Sequence, residues 1–297
     1  MKRAAAIALA ALSACAGPGA RPASSTLAVP AGVDVLEAAA DPEVVTDARL
    51  RAAIAATGLP WRVLHRRSGM ELLLVPPMAF VRGAAPGDDE AAEDERPAHA
   101  AAVIAPFYLG RYEVTAMEWD AVTGERPGFF SAAARAGEPV ENVNYFAAQA
   151  FTRAAGLTLP TESQWEAACR AGIADARHGP LDDVAWTRGN AGGRPHPVGA
   201  RAANALGFHD MLGNLWEWTR SGYVAEEYAR LPAEALLDVR GAARGTPRTV
   251  LRGGSWFDPA KRARASSRYA TERDLSAGHV GLRAALELPA ASDDRTP

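Results

Sequence analysis

The 297-residue chain is 48% hydrophobic and carries 7 Trp, enough apolar material for a sizeable buried core. A formal net charge of −3, from 32 Lys+Arg against 35 Asp+Glu, excludes a general electrostatic attraction to nucleic acid. With 27 Gly and 21 Pro the composition suits a loop-rich fold better than a helical bundle, and no apolar run after the leader approaches the roughly 20 residues of a membrane-spanning helix.

The chain opens with Lys2 and Arg3, a short apolar run from Ala4 to Leu12, and then Leu12-Ser13-Ala14-Cys15. This pattern predicts a signal peptide over residues 1–15 rather than a structural helix. Small residues ahead of Cys15 resemble the lipidation site of a bacterial lipoprotein, with Cys15 as the first mature residue. Acyl chains gain roughly 0.8 kcal/mol per buried CH2, so such an anchor holds a protein on a membrane without a spanning helix. Ala16, rather than aspartate, at the second mature position implies the outer membrane of a Gram-negative envelope. Only Cys169 then remains as a thiol, and the mature domain is expected to contain no intrachain disulfide.

Residues 16–36 are rich in Ala, Pro, Gly and Ser and predict a disordered tether. Asp41-Pro42-Glu43 reads as an N-cap and first turn, with Val44, Ala48, Ala52 and Ile54 giving a helical stripe that Gly58-Leu59-Pro60 stops. The expected division is therefore a tether with a short helix over 16–60, a main domain over 61–288 and a disordered tail over 289–297. A β-hairpin is predicted from Trp61 to Val81 about the turn at Ser68-Gly69, and a solvated acidic loop from Gly87 to Glu95. Val103 to Leu109 predicts a short strand, after which Thr115 is placed to cap a helix carrying Trp119. Asn144 is placed to cap a helix from Tyr145 to Ala155 that Gly156 ends, and Thr161 with Gln164 forms a capping box for the helix bearing Cys169. That cysteine reads as a buried structural thiol, because no second cysteine or neighbouring His accompanies it. Glu226 to Arg248 reads as an insertion.

Two stretches carry the candidate chemistry. In Asp210-Met211-Leu212-Gly213-Asn214-Leu215-Trp216-Glu217-Trp218, carboxylates flank a glycine turn whose carbonyls can point inward, an arrangement of hard oxygens suited to calcium. The competing reading pairs Glu217 with Arg252 or Arg283. Trp216 and Trp218 alternate as in a strand, predicting one ring in the core and the other toward a surface or groove. In the stretch from Val250 to Arg283, Gly253-Gly254 permits a close backbone approach beside Ser255 and Trp256, with Arg262, Arg264 and Arg268 following.

With these residues in view, Trp61 to about Leu288 resembles the formylglycine-generating enzyme family, the sulfatase-modifying-factor domain. The matching motifs, in order, are Tyr112-Glu113-Val114-Thr115, Pro139-Val140-Glu141-Asn142-Val143, Leu159-Pro160-Thr161-Glu162 with Trp165-Glu166, and Gly213-Asn214-Leu215-Trp216-Glu217-Trp218. Arg252-Gly253-Gly254-Ser255-Trp256 and Gly281-Leu282-Arg283 complete the set. The resemblance implies a C-type-lectin-like α+β fold with little regular structure. It also implies structural calcium, with ligands at the side chains of Asp210 and Glu217 and the carbonyls of Gly213 and Leu215. A second calcium site of some members would begin at Asn190, but the loop after it is short and lacks a matching aspartate.

Members that make formylglycine oxidise a substrate cysteine with copper(I) held by two cysteine thiolates, the soft donors that ion requires. Aligned through Gly253-Gly254-Ser255-Trp256, those two positions fall on Asp258 and Ala263, so copper is not expected. Asn214, Trp216 and Ser255 match residues that line the family's cleft, and Trp256, Asp258 and Arg268 join them as cleft candidates. Asp258 with His209 or His279 is the alternative donor grouping, for iron. The expectation is a membrane-anchored, non-catalytic module for a protein or peptide partner or for envelope assembly. An oxidoreductase of altered metal chemistry is the alternative.

Overall fold

The computed structural model describes residues 28–130, 137–230, 237–238 and 246–288. The predicted signal peptide with Cys15, much of the predicted 226–248 insertion and the predicted 289–297 tail lie outside the described residues. Among the described residues no helix is long and apolar enough to cross a membrane.

A five-stranded antiparallel sheet has the order β1 (Val33–Glu37), β2 (Arg62–His65), β3 (Glu71–Val75), β6 (Phe107–Gly110) and β14 (Ala285–Glu287). The hairpin read from Ser68-Gly69 is β2 with β3, pairing Val63 to Leu72. Strand β1 corrects the predicted tether: Val33 pairs with His65 and is buried, so the folded body begins well before Trp61. The first helix is also shifted. Asp47, not Asp41, caps α1 (Ala48–Ala56) by accepting from Arg49 N, while Asp41 closes a preceding turn through Val45 N. Where one strand was read from Val103 to Leu109, the chain forms β5 (His99–Val103), which lies between β4 (Met78–Arg82) and β10 (Leu237–Asp238), and then β6, broken at Pro106; a proline cannot donate to a ladder.

The other helices stand where their caps place them. Thr115 and Glu118 form a capping box on α2 (Ala116–Thr123), Asn144 caps α3 (Tyr145–Ala155) and left-handed Gly156 ends it. Thr161 and Gln164 cap α4 (Glu162–Arg170). These are local bonds that satisfy the orphan amides of a first turn, which is why spacing alone locates them. Cys169 on α4 is buried, and desolvation pushes its thiol up to about 12. We therefore expect no reaction of native protein with a thiol-specific disulfide reagent until denaturant is added; stoichiometric labelling of the folded chain would contradict that.

A second sheet holds the candidate site. Its order is β12 (Arg268–Glu272), β11 (Arg248–Arg252), β9 (Trp216–Gly222) and β13 (Val280–Leu282), with Arg252 opposite Arg268 on one side and Glu217 on the other. Both Trp216 and Trp218 are buried, unlike the alternation expected, because packing covers both faces of β9. The Trp218 indole donates to Val143 O at 2.9 Å and the Trp216 indole to Asp258 at 2.8 Å.

Helix α4 packs beneath this sheet through a buried charge network. Glu162 accepts from Arg268 at 2.6 Å and Arg82 at 2.7 Å, and Glu166 bonds Arg252 and Arg170. The acidic loop also departs from its reading as solvated. Glu95 is fully buried against both Arg264 guanidinium nitrogens, at 2.6 and 2.7 Å, and Asp88 meets Arg264 at 2.8 Å. Desolvating that carboxylate is offset by a bidentate guanidinium and by Ser266, which a solvated loop would not supply.

Candidate functional site

The glycine turn between β8 (Leu212–Gly213), which pairs with β7 (Ala185–Trp186), and β9 sits at the centre of the site. Asp210, Gly213 and Asn214 all have left-handed backbone, with φ of 54°, 77° and 54°. A Cβ on Gly213 would lie 2.2 Å from Trp186 O, so only glycine lets the turn press against that strand. Asn214 tolerates the left-handed region because its short amide makes local and buried bonds. Its Oδ1 accepts from His196 N at 2.9 Å and its Nδ2 donates to Glu113 at 2.5 Å. Its side chain thus points away from the cleft, correcting its reading as a lining residue; it contributes its carbonyl, which accepts from Trp256 N at 2.8 Å.

Beneath the turn three carboxylates converge. Glu113 accepts from Leu215 N at 2.8 Å, Asp210 accepts from Gly199 N at 2.6 Å, and Glu217 is held by Arg283 at 2.7 Å and Trp165 Nε1 at 2.6 Å. Of the two arginines offered to Glu217 by the sequence, Arg283 is the partner, while Arg252 goes to Glu166. Burial, reinforced by Asp210 and Glu217, raises the Glu113 carboxyl well above its ordinary range. Asp210 is pushed up to about 6, by burial first and by Glu217. Asp210 Oδ1 is buried with no partner. An orphaned oxygen within an excess of buried carboxylate is where a hard cation is electrostatically favoured. Among the described residues no three His, Cys, Asp or Glu side chains cluster as metal ligands, and both Glu217 oxygens are taken by Arg283 and Trp165 rather than left to a cation, so calcium here would have to draw on Asp210 with the carbonyls of Gly213 and Leu215. Asn190 instead caps Thr187 N and donates to Asp182.

Above the turn stand the residues that the family resemblance assigns to its cleft. The Gly253-Gly254 pair has φ of 103° and 79°, and a Cβ on Gly254 would sit 2.7 Å from Arg262 O. This close approach folds the 255–263 loop back on itself and brings Ser255 and Asp258 together. Asp258 Oδ2 accepts from the Ser255 hydroxyl and from the Trp216 indole at 2.8 Å. Ala263 is buried, and its carbonyl accepts from Arg177 at 2.8 Å.

Around Asp258 runs a sequence of rings. Trp216 meets Tyr269 at 5.5 Å, Phe257 stacks on His279 at 5.4 Å, and Trp256 contacts Phe257 at 5.5 Å and Phe130 at 5.6 Å. The Trp256 indole is fixed by Gly278 O at 2.9 Å. Burial lowers the His279 imidazole, against the opposing pull of Asp258. Arg268 does not reach this cleft. Its guanidinium is turned inward to Glu162 and Glu227 and over the Tyr228 ring, because a desolvated arginine must be paired. His209 is also elsewhere, stacked on Tyr112 with Nδ1 on Arg201 O at 2.8 Å, so Asp258, His209 and His279 do not assemble a metal site. Sequence reading passed over Glu113 and Phe130 as site residues. Glu113 stood in a family motif, which was the available signal; Phe130 stood in none.

Fold and site together define an α+β domain of the formylglycine-generating-enzyme type, with little regular structure and a glycine-asparagine turn beside a series of aromatic rings. Residues 62–288 match the sulfatase-modifying factor enzyme 1-like domain, and the chain belongs to that family. It is 30% identical over 274 residues to the formylglycine-generating enzyme of Streptomyces coelicolor, covering 85% of this chain and 79% of that protein. It is 36% identical over 252 residues to the hercynine oxygenase of Mycolicibacterium thermoresistibile, covering 67% of this chain and 55% of that one. The chain thus spans about half the length of the hercynine oxygenases it matches. Among solved structures, PvdO from Pseudomonas aeruginosa shares the fold with a TM-score of 0.64 at 24% identity, covering 75% of this chain and 96% of that chain.

Proposed function

We propose that this chain is a non-catalytic member of its family, a lipid-anchored envelope protein whose aromatic cleft binds a peptide or protein partner. The observation that carries the reading is the state of the two thiolate positions. Asp258 is a carboxylate tied to Ser255 and Trp216, and Ala263 is a buried methyl. Neither is a soft donor, so linear copper(I) ligation has nothing to hold it there. The thiol that the domain does carry, Cys169, is buried on α4 and protonated at neutral pH, and is unsuited to stand in for a thiolate pair. What persists is a binding shape, with fixed indoles and exposed rings on a braced turn. Relatives named as hercynine oxygenases make oxygen uptake the right test. Protein supplied with copper(I) and a cysteine-containing peptide is expected to consume no oxygen above a protein-free copper control in an oxygen electrode. Stoichiometric uptake with loss of the peptide thiol would overturn the reading in favour of an oxidoreductase.

The lipid anchor at Cys15 and outer-membrane placement are part of the same proposal, supported by the leader pattern. So is structural calcium, supported by the orphaned Asp210 Oδ1 and the surplus of carboxylates around it. At calcium about a hundredfold above Kd, binding adds ~2.7 kcal/mol. Chelation is therefore expected to lower Tm by roughly 5–10 °C, reversibly, in wild type and not in Asp210→Asn. Equal melting with and without chelator would contradict a calcium site.

A further inference from the structure

We infer that Asp258 is the receptor for an organic monocation, the ammonium group of a lysine side chain on an extended peptide seated along the aromatic cleft. This rests on the non-catalytic reading above and names its ligand class.

The first support is the carboxylate itself. Oδ2 is fixed by Trp216 and Ser255, which sets the orientation of the group. Oδ1 receives no hydrogen bond, and no arginine or lysine among the described residues pairs with Asp258, in a fold where Glu95, Glu162, Glu166 and Glu217 are each matched to a guanidinium. A part-buried carboxylate with no basic partner leaves its charge unmatched within the fold, and a bound cation supplies that partner. The charged neighbour at the cleft is Arg188, which is committed to Phe257, donating to its carbonyl at 2.8 Å and lying over its ring at 5.3 Å. His279 is kept below its ordinary pKa by burial and brings no competing charge at neutral pH.

The second support is the walls. Rings of Trp216, Tyr269, Phe257 and Trp256 surround this region, and aromatic faces attract cations most strongly where water is excluded. Phe257, in the loop after β11, and Tyr269, on β12, are 50% and 37% exposed, although Trp216 and Trp218 of the sheet are buried. A metal ion fits the place poorly, since one carboxylate and one hydroxyl fall far short of the roughly 6–8 hard oxygens that calcium takes or the octahedron of magnesium. The ring sequence also continues past Asp258, from Trp256 to Phe130 and on to Phe129, which is 79% exposed. That track is longer than a free amine would occupy. It suits the residues that flank a lysine in an extended chain.

The test is a calorimetric titration of the full chain with an end-capped pentapeptide holding a central lysine between two phenylalanines, and with the same peptide Nε-acetylated. Acetylation removes the charge while keeping the stem. The unmodified peptide is expected to bind about tenfold or more tightly than the acetylated one. In Asp258→Asn, which keeps the size and acceptor of the side chain, that preference is expected to vanish, with Tm unchanged as the check on folding. Phe257→Ala is expected to weaken both peptides alike. Equal binding of the two peptides, retention of the preference in Asp258→Asn, or no binding of the unmodified peptide at millimolar concentration would each overturn the inference. None of these results bears on the non-catalytic reading, which falls to oxygen uptake instead.

Discussion

Glu162→Gln is expected to lower the stability of the protein by about 3–5 kcal/mol, measured as a shift in urea midpoint at constant slope. Glu162 is the carboxylate that Arg268, Arg82 and, at 3.7 Å, Arg252 share, and all four side chains are almost wholly out of solvent. Burial would raise its carboxyl, but the three guanidiniums outweigh that and hold it far below the usual carboxylate range. Glutamine preserves the shape and one acceptor. It removes the charge and leaves three buried arginines to Glu166 and the partly exposed Glu227. The cost is that of stranding charge rather than of losing one bond, which is why it exceeds the effect of cutting an exposed ion pair. A loss below about 1 kcal/mol would show that the network relaxes or admits water, contrary to this account.

Gly213→Ala is expected to cost at least about 3 kcal/mol and to abolish the native near-ultraviolet signature of the buried tryptophans. The left-handed backbone alone is worth roughly 1–2 kcal/mol for a residue with a Cβ. The larger part is steric, since the new methyl would lie 2.2 Å from Trp186 O and 2.7 Å from Trp186 N, atoms of a strand that cannot swing aside. Opening that contact would displace Asn214, and with it the Trp256 amide that its carbonyl accepts and the Glu113 carboxylate below. Gly124→Ala is the matched control. It has a similar φ of 73° with open space around it, so it carries the backbone penalty without the collision. Similar losses in both variants would contradict the steric argument.

Much of the fold was legible because its signals are local or ordered along the chain. Thr115, Asn144 and Thr161 announce their helices through bonds spanning three residues, and the family motifs fall in sequence from Tyr112 to Arg283. Long-range partners were not legible. Glu95 and Arg264 are 169 residues apart, so nothing in the acidic run distinguishes a solvated loop from one docked on a buried arginine. Strand β1 lies in a segment whose composition reads as a linker, and only pairing with β2 makes it a strand. The site divides in the same way. The turn from Asp210 to Glu217 and the loop from Gly253 to Asp258 were readable as motifs. Arg268 was assigned to the cleft because it follows that loop in sequence, while β12 turns its side chain to the opposite side, toward α4. Glu113 beneath the turn and the rim built from Phe130, Phe257, Tyr269 and His279 come from five separate segments, and their meeting is a product of tertiary structure alone.

The central claim is that the copper thiolate pair has been replaced, not displaced elsewhere in the fold. A copper(I) titration against a chromophoric chelator, run on wild type and on the Asp258→Cys/Ala263→Cys variant, tests it most directly. The account predicts no copper withdrawn by wild type and close to one equivalent withdrawn by the variant, since the loop would then regain two soft donors at the positions the family uses. One equivalent bound tightly by wild type would contradict it.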